Sequence, residues 1–185
     1  LTGDPRVADE LELSTLNATL GAQSPSGRWW TYNTPMDGVR RASAHDIVFQ
    51  AREGSPELNC CSVNGPRSLG MLSEWAVMRA GEGVVLNYYG PGAFTVHLPS
   101  GAALRLEQRT GYPCVGRVEL ALGLERPARF PLRLRIPGWS QRTAAALNGD
   151  PLPASAPGEY LTIERMWQPG DRVCLDVDMR LRRWA

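Results

Sequence analysis

The sequence predicts a mainly β chain: a β-sandwich preceded by two helices and irregular backbone. Three observations lead there. From Val84 onward, short runs of alternating apolar and polar residues recur between clusters of Gly, Pro, Asn and Ser, the pattern of half-buried strands joined by tight turns. Before that point the periodic stretches have helical spacing. The 185 residues suffice for one ordinary domain, or one and a piece. The chain is therefore divided into residues 1–82 and residues 83–185, and the first part lacks the apolar material for a core of its own.

Asp4-Pro5 opens the first helix, with Asp4 as N-cap and Pro5 as the first helical residue. Val7, Leu11, Leu16 and Leu20, joined by Leu13, form a partial apolar stripe, and Gly21 suits the C′ position. Residues 23–56 are long and mixed, a length that in a compact domain marks a functional segment or part of a larger structure. Within them residues 27–32 read as a short aromatic strand, followed by a turn at Asn33-Thr34-Pro35. His45 and Asp46 are sequence neighbours, and adjacent side chains rarely face each other. Asn64 or Gly65 caps the second helix, with Pro66 in its first turn. Leu69, Leu72, Trp75, Ala76 and Met78 line its apolar side, and Gly81 or Gly83 ends it.

Eight strands follow, at residues 84–89, 94–98, 104–107, 118–122, 132–136, 146–147, 160–163 and 173–179. Leu132-Arg133-Leu134-Arg135-Ile136 alternates without a break, one apolar face and one arginine face. Asn148-Gly149 is a strong hairpin signal. His97 is read as a structural strand residue. The spacing of these strands argues a sandwich.

Lys plus Arg number 20 and Asp plus Glu 19, a formal net charge of +1. That balance gives no electrostatic case for nucleic acid or an anionic membrane as partner. No apolar run is long enough to span a bilayer. The chain begins at Leu1, without Met, on the approach to a helix. A fragment is expected, which leaves the compartment open between bacterial cytoplasm and secretion.

Chemistry concentrates in Glu57-Leu58-Asn59-Cys60-Cys61-Ser62-Val63-Asn64-Gly65-Pro66-Arg67. Two of the four cysteines stand side by side just before a helix start. A thiolate there feels the positive end of the helix dipole and loses pKa, which suits a nucleophile, a soft-metal ligand or one of each. A redox or metal-storage pair is the competing reading. A vicinal disulfide would be strained, so the pair is expected reduced or metal-bound. Cys114 follows a Tyr-Pro turn, and Cys174 reads as a small buried apolar side chain.

The Cys60-Cys61-x-x-Asn64-x-x-Arg67 run resembles glycoside hydrolase family 127, whose characterised members are β-L-arabinofuranosidases. Leu1-Thr2-Gly3-Asp4-Pro5 looks like a late helix of that family's catalytic barrel, and Trp29-Trp30-Thr31-Tyr32-Asn33-Thr34-Pro35 is similar to its aromatic-Tyr-x-Asn-Pro segment. Leu134-Arg135-Ile136-Pro137-Gly138-Trp139, Leu147-Asn148-Gly149 and Ile163-x-Arg165-x-Trp167-x-x-Gly170-Asp171 resemble its sandwich. The resemblance covers nearly the whole chain. It implies that residues 1–82 are the end of an α/α six-hairpin barrel and 83–185 a β-sandwich domain. It also implies a zinc ion bound by one Glu and three Cys. Cys60 would match the nucleophile, itself a zinc ligand, and Cys61 a second ligand. The other ligands and the Glu acting as general acid/base would lie in an earlier segment, the N-terminal barrel of the same protein. Tyr32 would match a tyrosine that contacts the sugar of an oligosaccharide or glycoside substrate. Glu57, three residues before Cys60, is a catalytic carboxylate in one reading and, in the favoured one, solvent-facing or a neighbour of the ligands; Asn64 and Arg67 would cap and brace the cysteine turn. Many relatives have Pro where this chain has Ser62, a departure that points to a subgroup with a different sugar.

The alternative reading is a non-catalytic carbohydrate-binding or structural β-sandwich module. Its candidate contacts are Trp139, Trp167 and Tyr160, whose simpler role is packing.

Overall fold

The computed structural model describes residues 3–31, 60–153 and 155–181. Tyr32, His45, Asp46 and Glu57 lie outside the described residues. The chain divides into two compact units, Leu1–Asp9 with Glu74–Ala185, and Glu10–Ser73.

The larger unit holds two sheets. Strands β1 (Val77–Ala80), β2 (Gly83–Leu86), β6 (Ala128–Arg135) and β9 (Tyr160–Trp167) form a four-stranded sheet in the order β1-β2-β6-β9. Strands β3 (Gly92–His97), β4 (Ala103–Thr110), β5 (Arg117–Leu124), β7 (Ala144–Leu147), β8 (Asp150–Pro151) and β10 (Arg172–Asp176) form a six-stranded sheet in the order β3-β4-β5-β10-β7-β8. Neighbours are antiparallel except β2 and β6, which run parallel, with Val84 beside Leu132 and Leu86 beside Leu134. Alternation places one face of each sheet inward. Leu132, Leu134 and Ile163 from one sheet and Leu104, Leu106, Leu120, Leu122 and Leu175 from the other share a single buried core. Each such leucine, taken fully out of water, contributes about 1.5–3 kcal/mol before chain entropy is counted.

All eight expected strands are present. The first is shorter than its alternation suggests, because pairing ends at Leu86 and residues 87–89 leave the sheet. Asn148 and Gly149 both take positive φ, 51° and 96°, and turn β7 into β8. Asn148 also donates to Asp171 Oδ1 and accepts from the Arg172 N–H, both at 2.8 Å. In the larger unit three expectations need correction. Val77–Ala80 is a strand, not the end of a helix: Gly81 and Glu82 turn it back onto β2. Arg135 does not join an exposed arginine face. Its side chain is 0% exposed, paired with Asp9, donating from Nε to Asn87 O at 2.6 Å and lying over the Tyr89 ring. Cys174 points away from the core, half-buried between Arg117 and Asp176. Burial pushes its thiol pKa up, with Arg117 acting against that. It sits on an open groove of about 540 Å³ on the outer face of β5, β10 and β7, lined by both signs of charge and no aromatic ring.

Of the three aromatic residues considered as sugar contacts, two are engaged within the sandwich and one is exposed. Trp167 is fully buried, stacked on Phe130, with its indole N–H donated to Phe130 O at 2.9 Å. The Tyr160 hydroxyl donates to Asn87 Oδ1 at 2.6 Å. Trp139 is 36% exposed.

In the helical segments, α1 (Pro5–Leu13) begins as expected: the Arg6 N–H donates to Asp4 Oδ1 at 3.0 Å, the N-cap bond to the second helical residue. It continues through a π-helical turn (Ser14–Thr19) into the short α2 (Leu20–Ala22), so Gly21 lies inside the helix and Gln23 ends it. Ser14 Oγ donates back to Glu10 O at 2.7 Å where the turn widens, a competition for backbone carbonyls that bends helices. The buried stripe is Ala8, Glu12 and Thr15, while Leu13 and Leu20 are exposed. Residues 27–31 form no strand: Trp30 makes an isolated bridge with Gln23, closed by Thr31 N to Ala22 O and Ser24 N to Trp29 O, both 2.9 Å.

Candidate active site

The cysteine pair lies on α3 (Cys60–Ala76). Sequence reasoning started this helix at Asn64 or Gly65. The structure carries it back through the cysteines, with Pro66 in its interior. Gly65, Ser68, Leu69, Leu72 and Trp75 are half-buried at spacings of three and four, so Leu69, Leu72 and Trp75 lie on the expected stripe, whereas Met78 belongs to β1. Asn64 does not sit outside as a cap. Its side-chain amide donates to Cys60 O at 2.8 Å, and its oxygen accepts from Arg67 Nη1 at 3.3 Å. The two residues brace the turn that carries the thiols.

Cys60 is exposed and Cys61 half-buried. Their sulfurs are 3.8 Å apart, well beyond the 2.05 Å or so of a disulfide, and none of the four cysteines is in a disulfide. The Cys61 thiol is pushed above its ordinary pKa by burial, then by its hydrogen bond to Cys60 and by the charge Cys60 would carry. For Cys61, burial and the neighbouring Cys60 sulfur act in the direction opposite to the lowered pKa expected from the sequence. Two soft donors on one turn are suited to a soft cation. Among the described residues, no group of three or more His, Cys, Asp or Glu is placed to hold a metal.

The turn is positioned by residues for which the sequence had suggested no part in holding the cysteines. The Ser62 hydroxyl accepts the Trp30 backbone N–H at 3.1 Å. The Trp30 ring lies against Gly65, where a Cβ would come within 2.5 Å of the indole. The indole N–H donates to Thr19 O at 2.9 Å, and Ser68 Oγ donates to Thr19 Oγ1 at 2.9 Å.

A family model described as the β-L-arabinofuranosidase GH127 middle domain matches residues 83–179, more than half of the chain. The chain belongs to glycoside hydrolase family 127. A second GH127 model, for the β-L-arabinofuranosidase catalytic domain, matches residues 1–74, the stretch that includes both cysteines of α3. Among solved structures, a GH127 β-L-arabinofuranosidase from Geobacillus stearothermophilus T6 is similar over 100% of this chain, with 26% identity and a TM-score of 0.82. A protein described as a glycoside hydrolase is similar over 97% of the chain, with 28% identity and a TM-score of 0.79. A GH127 β-arabinofuranosidase is 25% identical over 97% of the chain, with a TM-score of 0.78. The GH127 chain spans 30% of the length of each of these solved chains. No curated protein matches the sequence.

Proposed function

We propose that this GH127 chain is part of a retaining glycoside hydrolase, β-L-arabinofuranosidase-like, in which Cys60 is the nucleophile and Cys60 and Cys61 are two of the ligands of a zinc ion. The observation that carries the reading is the sulfur pair. Zinc–thiolate bonds of about 2.3 Å in a tetrahedron put two sulfurs about 3.8 Å apart, and Cys60 and Cys61 stand at 3.8 Å. The division of labour follows exposure: Cys60 is the more exposed of the two and the better placed to meet a substrate, which leaves half-buried Cys61 the ligand role. Zinc, when bound, keeps such thiolates deprotonated at neutral pH. That supply is needed here, because as a free thiol Cys61 is held up rather than down.

The Cys60 sulfur attacks the anomeric carbon as the bond from that carbon to the leaving oxygen breaks. The electron pair departs on the oxygen, which takes a proton from a carboxylic acid. Water, deprotonated by the same group, then displaces the sulfur. Two inversions retain the configuration. The carboxylic acid and the remaining zinc ligands belong to the N-terminal barrel of the same protein in this reading, residues 1–82 being the closing part of an α/α six-hairpin barrel. The substrate is an oligosaccharide or glycoside.

The test is Cys60→Ser in the full-length protein that carries this chain, with an aryl arabinofuranoside as substrate. Activity should fall by at least a thousandfold, about 4 kcal/mol of barrier, and the wild type should release a product of retained configuration. Undiminished activity of the Ser variant sinks the nucleophile assignment. The 185-residue chain alone should be inactive, and hydrolysis by it would overturn the need for residues from elsewhere. The binding-module reading has less support: Trp167 is in the core and the Tyr160 hydroxyl is engaged with Asn87.

A further inference from the structure

We infer that Trp30 and Ser62 are positioning residues that hold the Cys60–Cys61 turn at the sulfur separation a metal requires. The inference rests on the zinc reading above and adds to it the device that sets the site's geometry. The first turn of a helix has few intrahelical hydrogen bonds and frays easily. Here it is weakened further, because Pro66 has no N–H to give the carbonyl four residues back, that of Ser62. A turn that frays changes the distance between side chains on successive residues.

Trp30 adds a restraint from outside the helical ladder. Its backbone is fixed on one side by the bridge to Gln23 and by the neighbouring bonds Thr31 N to Ala22 O and Ser24 N to Trp29 O. On the other side its N–H grips the hydroxyl of the residue directly after Cys61. Its indole lies flat on the helix backbone at Gly65, one turn beyond Cys61, where only a residue without a Cβ allows that approach. The indole N–H is tied in turn to Thr19 O. Two contacts on one turn, one at Ser62 and one at Gly65, fix both the rotation and the height of the helix at the thiols. The Ser62 hydroxyl thus has a geometric job as the acceptor of the Trp30 N–H.

Zinc and cadmium binding to the full-length protein tests this, with chelator competition for zinc affinity and thiolate-to-cadmium charge-transfer absorbance to count bound sulfurs. Ser62→Ala should weaken zinc binding by about tenfold to a hundredfold, the usual effect of losing a residue that orients a metal ligand. Ser62→Thr keeps the hydroxyl and should restore most of that affinity. The thermal midpoints of the two zinc-free variants should agree, which separates positioning from a general loss of stability. Equal zinc affinity of wild type and Ser62→Ala would overturn the positioning role, as would a loss that Ser62→Thr does not repair. If Ser62→Ala fails to fold, Gly65→Ala displaces the indole while leaving the hydroxyl, and carries the same expectation. A wild-type protein whose cysteine pair binds neither metal would refute the zinc reading itself, an outcome distinct from the first two.

Discussion

Asp9→Asn should be among the most damaging isosteric changes in the larger unit. The Asp9 carboxylate accepts from two donors at once, the Arg135 guanidinium through Oδ1 and the Gly138 N–H through Oδ2 at 2.9 Å. Asn has the same shape but one acceptor oxygen, so its NH₂ must face one of those donors. Arg135 is fully buried and cannot turn to water. Breaking a buried ion pair from one side costs about 3–5 kcal/mol. Asp9 keeps about a fifth of its side-chain surface in solvent, 21%, which lowers the estimate, while an unpaired Gly138 N–H raises it by about 1 kcal/mol. The expected loss is about 3 kcal/mol, read as a shift of the urea midpoint at unchanged slope. Asp9→Leu combined with Arg135→Met should recover most of it, because the charge and its partner leave together. A loss under about 1 kcal/mol for Asp9→Asn, or a double variant worse than the single one, would show that the pair is not the keystone its burial suggests.

Burial raises the Tyr160 pKa above the ordinary tyrosine value. The folded state therefore holds this proton more tightly than the unfolded one. The stabilisation is complete below the unfolded pKa of about 10 and is lost as pH rises through the folded value. Urea midpoints followed from about pH 9 to about pH 12 should fall more steeply for wild type than for Tyr160→Phe, and parallel curves would refute the assignment. Asn148→Ala should cost about 2–3 kcal/mol, from a left-handed backbone at φ 51° and two lost hydrogen bonds. Asn148→Gly should cost less, because it keeps the backbone conformation, and equal losses would show that the side-chain bonds alone matter.

Strand alternation was readable because inward and outward positions differ in chemistry, and the shared core follows from it. What was hidden are the places where a distant partner overrules a local preference. Val77-Met78-Arg79-Ala80 has nothing against helix. It becomes a strand because Gly81 and Glu82 let it fold back on the fully buried β2. Arg135 stands in a perfect alternation beside exposed Arg133, and its burial rests on distant partners, Asn87, Tyr89 and above all Asp9, 126 positions earlier. Pro66 looked like the first turn of a helix because proline is most comfortable there. The cysteine pair was visible as composition. Its 3.8 Å separation and the Trp30 contact, which reaches across 32 residues, were not.

The order of strands in the two sheets has a kinetic side. Between the parallel neighbours β2 and β6 the chain leaves for the other sheet to make β3, β4 and β5; it leaves again for β7 and β8, returns as β9, and ends in β10. Neither sheet is a contiguous stretch of chain, so neither can be completed while the other is unmade. The pairing of Val84 with Leu132 closes a loop of some fifty residues, and such distant pairings slow folding. The sandwich should therefore assemble late and all at once. During synthesis, until β9 and β10 emerge, the half-built sheets leave apolar faces and unpaired edges open to wrong partners.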